Sequence, residues 1–194
     1  IWVNDLYEPL TNFWQQLQHE GNYIYKQLQQ LKSRYPDPSS AKGLFLDAKE
    51  SVNDLKIDAK DRAVAFYIVN KCSFSGLTES SSFSKQASDS NFSMRGIERI
   101  PGFSQLIERW KITGLSYEDM LSDEKSVFTY LDPPYDIKDN LYGKKGNMHK
   151  SFDHDQFASN CDHHTGHQLI SYNSSQLVKD RFSGWNVSQF NHTY

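Results

Sequence analysis

Cysteine is scarce in this chain. Its 194 residues carry only two, Cys72 and Cys161, far apart in sequence. That excludes a disulfide framework and leaves two free thiols in an intracellular protein as the plain reading. Long apolar runs are missing too. No stretch approaches the roughly 20 residues needed to span a bilayer, and no signal-peptide pattern is visible. Charge of one sign is not in excess: 21 Lys plus Arg face 24 Asp plus Glu, for a formal net charge of −3. The chain is therefore no polycation, and any grip on nucleic acid has to come from local basic patches. Internal repeats are absent as well. What is plentiful is aromatic: 14% of residues, within a hydrophobic share of 37%. That composition argues against disorder, and the length suits one domain, or one with a sizeable insertion.

Periodicity gives the order of elements. Ile1-Trp2-Val3 reads as the end of a buried strand, followed by a helix with Asp5 as N-cap and Pro9 in its first turn. Leu6, Leu10, Phe13 and Leu17 form a helical stripe, and Ile24, Leu28 and Leu31 mark a second amphipathic helix. Residues 35–40 (YPDPSS) break it. Residues 49–60 are charged and partly helical in pattern, and residues 61–70 (DRAVAFYIVN) predict a buried helix. The Ser-rich stretch 72–91 predicts an exposed hairpin or loop. A helix over 102–110, a short strand at 112–113 and a helical turn at 117–121 come next. The second half then runs strand (127–131), polar loop (136–150), helix capped by Ser151 or Asp153, strand (169–172), helix (175–182) and strand (185–190). Alternation of that kind implies an α/β fold, a parallel sheet with helices on its faces.

The sharpest motif is Asp132-Pro133-Pro134-Tyr135, at the end of the apolar run 126–131 (SVFTYL). Average residue frequencies give this tetrapeptide by chance in roughly one chain in a thousand of this size. Its residue types share one chemistry. A carboxylate accepts a hydrogen bond from an amine. Two successive prolines give a stiff segment without N–H groups, whose carbonyls stay open to accept. The ring of Tyr135 offers a face on which a base stacks. Pro-Pro-Tyr also occurs in turns and polyproline ligands, but those lie in polar, flexible stretches rather than at the end of a strand.

A short strand ending in DPPY resembles the catalytic loop of the Dam-type DNA adenine methyltransferases of phages and bacteria. The order of the softer features is similar too: Trp2-Val3-Asn4-Asp5 before a helix, Arg62 through Asn70 to Phe74-Ser75-Gly76, and Ser151-Phe152 before Ile170-Ser171-Tyr172-Asn173. The resemblance covers most of the chain. It implies a Rossmann-like S-adenosylmethionine-dependent methyltransferase sheet with a mainly helical target-recognition insertion. Residues 1–41 and 112–194 would then belong to the catalytic domain, and 42–111 to the insertion. It implies S-adenosylmethionine as methyl donor, double-stranded DNA as partner, no membrane, and a place in the cytoplasm of a bacterial or phage-infected cell.

The same resemblance implies residue roles. Asp132, with the carbonyl of Pro133, would hold the target amine on the stiff Pro133-Pro134 segment, and Tyr135 would stack on a base flipped out of the duplex. Asp5 would hydrogen-bond the ribose hydroxyls of the cofactor, and Asp132 would border the cofactor as well. Lys85, Arg95 and Arg99 would contact DNA from the insertion, and Lys144, with Lys145 and Lys150, would grip the backbone beside the flipped base. Phe152 walls the base pocket or packs in the core, while Ser171 and Asn173 read as turn residues rather than catalysts.

The chain departs from the family pattern in two places. No glycine precedes Gly21, so the glycine-rich cofactor loop is missing, as is the Lys-containing motif before it. Ser116-Tyr117 stands where the family usually has an acidic residue before an aromatic. The chain thus reads as a fragment that begins after the loop, and residues 1–194 alone are expected to bind the cofactor poorly. Two rivals remain at this level: a cytosine amino-methyltransferase, against which Asp132 speaks, and a non-catalytic DNA-binding remnant. The cluster Cys161, His163, His164 and His167 falls at a helix end and turn, and predicts no metal site.

Overall fold

A computed structural model describes residues 1–74, 82–136 and 151–191. Its first half is a helical assembly. Strand β1 (Trp2–Asn4) leads into α1 (Glu8–Arg34), which holds the two helical segments that the sequence predicts. The two predicted segments are joined across a kink at Glu20 (φ −120°, ψ 24°). Gly21 lets this happen beside a neighbour: a Cβ there would lie 2.4 Å from Ser104 Oγ. Asp5 is not the N-cap. That position is Tyr7, without a side-chain cap, and Leu6 lies outside the helix and is exposed.

Helix α2 (Pro38–Ser51) begins inside the segment read from sequence as a breaker. Asp37 accepts from Ser39 N–H (2.8 Å) and Ser40 N–H (3.0 Å), and the Ser40 hydroxyl reaches back to the Asp37 N–H (3.4 Å). This reciprocal capping box turns a helix stop into a helix start. Helix α3 (Ala59–Cys72) is buried from Arg62 to Val69, as its nearly unbroken apolar run requires. It lies against α1 and α2, and together with α4 (Lys85–Ser90), α5 (Met94–Ile97) and α6 (Ile100–Leu106) these helices close one core. Ile24, Leu28, Phe45, Ile68 and Phe92 are at its centre. One charge enters it: Arg62, whose guanidinium pairs with both carboxylate oxygens of Glu8 at 2.9 Å.

The helical assembly is the crossover between two parallel strands. β2 (Lys111–Thr113) pairs with β1 in the register Trp2↔Lys111, Val3↔Ile112, Asn4↔Thr113. Ile1 and Trp2 are exposed rather than buried, although the Lys111 ammonium lies 3.4 Å from the centroid of the Trp2 ring. A 3-10 turn (Tyr117–Met120) precedes β3 (Phe128–Leu131). α7 (His154–His163), capped by Asp153, returns the chain to β4 (His167–Ile170), parallel to β3. α8 (Gln176–Arg181), capped by Ser175, follows. The second core holds Leu131, Phe157, Cys161 and Phe182. Residues 185–190 form no strand, contrary to the alternating pattern, and β4 starts two residues earlier than its apolar residues suggest. The architecture is mixed α/β with two short parallel sheets. No described helix is long and apolar enough to cross a membrane.

Candidate active site

The candidate residues sit at the ends of β1, β3 and β4. Leu131 is buried under α7, so the next residue, Asp132, emerges at the carboxyl end of β3 and is exposed. Pro133 is buried and fixes the turn, and Pro134 and Tyr135 are half-buried. The Tyr135 ring stacks on Tyr172 with centroids 6.5 Å apart and 24° between planes. Tyr172 belongs to an aromatic group with Phe157, Phe182 and His154, which backs the DPPY segment.

The segment after β4 grips this loop at both ends. Ser171 Oγ donates to Asp132 Oδ1 at 2.7 Å and stands 2.8 Å from the Tyr130 hydroxyl. Asn173 makes a two-point clamp on the backbone of Asp136: its Oδ1 accepts from the N–H at 2.8 Å, and its Nδ2 donates to the C=O at 3.2 Å. Arg181 pairs with the Asp136 carboxylate at 2.5 Å and with Asp155, joining the loop to α7 and α8. Ser171 and Asn173 are thus loop anchors rather than plain turn residues. The sequence held half the signal: alternation places residues 169 and 171 on one face, as it does 130 and 132. The β3–β4 register, which brings the two pairs together, was not readable from it.

Asp5 follows β1 and continues its ladder, donating its N–H to Thr113 O at 3.2 Å. Its Oδ1 accepts from Tyr7 N–H at 2.7 Å. The residue touches solvent, yet the atoms crowded around its carboxyl impede hydration and push its pKa up from the ordinary 3.8. The Tyr7 N–H opposes that shift, and the negative charge of Asp132 adds to it. The fold therefore brings the two strand-end carboxylates, Asp5 and Asp132, within electrostatic range of one another. Beside Asp5, Asn4 fixes the exit of β2: its Oδ1 accepts from Leu115 N–H and from the Thr113 hydroxyl, each at 2.8 Å.

The remaining predicted residues are dispersed. Lys85 opens α4, Arg95 lies on α5, and Arg99 precedes α6 with its guanidinium 5.1 Å over the Phe103 ring; all three are exposed. Lys144, with Lys145 and Lys150, lies outside the described residues. Phe152 packs against Tyr117 and Phe157, at centroid separations of 5.8 Å and 5.4 Å, and so joins the second core. Among the described residues no three His, Cys, Asp or Glu side chains converge to hold a metal ion. His163 and His164 instead bond helix carbonyls of Ser159 and Asn160.

A mixed α/β fold with short parallel sheets, and carboxylates at their strand ends, is consistent with the methyltransferase class. The particular family follows from comparison: the model for the D12 class N6 adenine-specific DNA methyltransferases matches residues 1–194, and the chain belongs to that family. No curated protein matches it. The chain is accordingly a DNA adenine methyltransferase, with S-adenosylmethionine as methyl donor and double-stranded DNA as substrate. The family decides for adenine against cytosine.

Proposed function

We propose that Asp132, Pro133, Pro134 and Tyr135 receive the flipped adenine and that Asp5 holds the donor's ribose. The observation that carries this reading is the anchored Asp132 carboxylate at the end of β3, with Tyr135 three residues on and the Asp5 carboxylate in electrostatic range. Asp132 and the Pro133 carbonyl each accept one hydrogen of the N6 amine. That removes the amine's lone pair from conjugation with the ring and points it outward. Tyr135 stacks on the base, whose extrusion is required because the amine is out of reach in the duplex. The donor supplies an electrophilic methyl group on a sulfonium.

The residues present fit part of that donor. A strand-end carboxylate with one oxygen anchored by Tyr7 N–H suits a ribose diol, and Asp5 would hold it there. Lys85, Arg95 and Arg99 contact DNA from residues 42–111, the target-recognition insertion, and Lys144 adds to the phosphate grip. Residues 1–41 and 112–194 make up the catalytic part. The β1–β2 and β3–β4 pairs are portions of one Rossmann-like sheet. This reading is supported by Phe128, Tyr130 and Leu169, whose exposed side chains leave one face of the second pair bare. The protein works in the cytoplasm, where its DNA is.

The test is a methylation assay on the intact protein. Unmethylated DNA is incubated with S-adenosylmethionine, hydrolysed, and its methylated bases quantified by mass spectrometry. Methyladenine is expected, and Asp132→Ala should lower it at least a hundredfold, the scale of losing a transition-state contact. An Asp132→Ala variant as active as the parent would remove Asp132 from the site.

A further inference from the structure

We propose that Ser171 is a positioning residue that sets the orientation of the Asp132 carboxylate, and that Tyr130 orients Ser171 in turn. The inference rests on Asp132 being the amine-binding carboxylate. The geometry begins with strand alternation. In the register Tyr130↔Leu169 and Leu131↔Ile170, residues 130 and 132 share a face with 169 and 171. The Ser171 N–H donates to Leu131 O at 3.1 Å, so the ladder runs one residue past β4 and fixes the Ser171 backbone beside Asp132.

Proton counting then sets the direction of the chain. A carboxylate only accepts, so Ser171 spends its single hydrogen on Asp132 Oδ1 at 2.7 Å. The contact of 2.8 Å between Ser171 Oγ and the Tyr130 hydroxyl must therefore be donated by Tyr130. The result is Tyr130 O–H to Ser171 O–H to Asp132, with one carboxylate oxygen engaged and the other left to face an incoming amine. A hydrogen bond to a charged acceptor is stronger than a neutral one, which makes Ser171 the stiffer link. Without it the exposed Asp132 side chain turns about its χ angles. The amine is then held in the correct geometry for only a fraction of encounters.

The expected signature is a loss in rate without a loss in binding. Misplacement of a catalytic group by about 1 Å costs on the order of a hundredfold, so Ser171→Ala should slow single-turnover methylation by about ten- to a hundredfold. The Kd for DNA and for S-adenosylmethionine should stay within about twofold, because the Ser171 hydroxyl is already engaged by Asp132 and Tyr130. Ser171→Thr retains the hydroxyl and should restore most of the rate. Tyr130→Phe should slow the reaction less, and the Ser171→Ala/Tyr130→Phe double variant should be no slower than Ser171→Ala alone, because Tyr130 acts through Ser171. Additive effects, an unchanged rate in Ser171→Ala, or a change confined to Kd would each overturn the proposal. Asp132→Ala is run alongside. If it retains activity, the site reading itself fails; if it is inactive while Ser171→Ala is not, only the positioning role fails.

Discussion

Asp5 carries opposed demands in one side chain. Crowding and the nearby charge of Asp132 raise its pKa above the ordinary 3.8, so the folded protein holds the proton more tightly than the unfolded chain does. A raised carboxylate pKa means that ionisation costs stability. The cost is absent below 3.8, appears as pH rises through the interval up to the folded pKa, and is constant above it. Asp5→Asn keeps an oxygen for the Tyr7 N–H and removes the charge. It should raise the thermal midpoint slightly at neutral pH, lose that advantage below pH 3.8, and weaken S-adenosylmethionine binding at least tenfold. Calorimetry across pH, paired with titration of the donor, checks both halves. Equal midpoints at neutral pH would show that the Asp5 carboxyl is hydrated well enough to ionise without cost. The residue type and its place after a strand were legible in sequence. The proximity of Asp132 was not, because it arises between segments more than a hundred residues apart.

At the scale of elements, sequence and fold agree where the local signal is redundant. The buried helix over residues 61–70 was readable because its apolar residues leave no face for water, and α3 is buried from Arg62 to Val69. The stretch 35–40 ends α1 as its Pro and Asp residues predict, but the start of α2 within it was missed, because the same residues end one helix and begin another. The two helical segments of α1 were legible from their apolar stripes and meet at the Glu20 kink; the small size of Gly21 beside it is needed for contact with α6. A methyl group added there would meet Ser104 at 2.4 Å from Oγ and 2.6 Å from Cβ. Gly21→Ala should therefore destabilise the protein by ~1–3 kcal/mol, despite the better helix propensity of Ala. Because both clashing atoms belong to one side chain, the double variant Gly21→Ala/Ser104→Gly should recover most of that loss. Denaturant unfolding of the two variants measures it. No loss in Gly21→Ala would mean that α1 and α6 have room to separate.

Among the described residues, the whole molecule is organised around two cores that share no residue. One is closed by α1 to α6, the other by β3, β4, α7 and α8. That the strands are parallel was legible, since strands alternating with helices allow little else. That they pair as two separate couples was not, because pairing is a long-range choice that periodicity does not encode. Cooperativity between two cores depends on the apolar area joining them, and among the described residues the two clusters have no buried residue in common. Residues 1–194 should therefore unfold in two steps. Trp14 and Trp110 pack against the first core and Trp185 against the second, so tryptophan fluorescence reports on both. Phe157, 1% exposed at the centre of the second core, gives the decisive variant. Phe157→Ala should cost ~3–5 kcal/mol in one urea transition and leave the other at its midpoint. Ile24→Ala, in the first core, should do the reverse. A single transition displaced by both substitutions would mean that the two cores stand or fall together, with the strand-end carboxylates held by one cooperative unit.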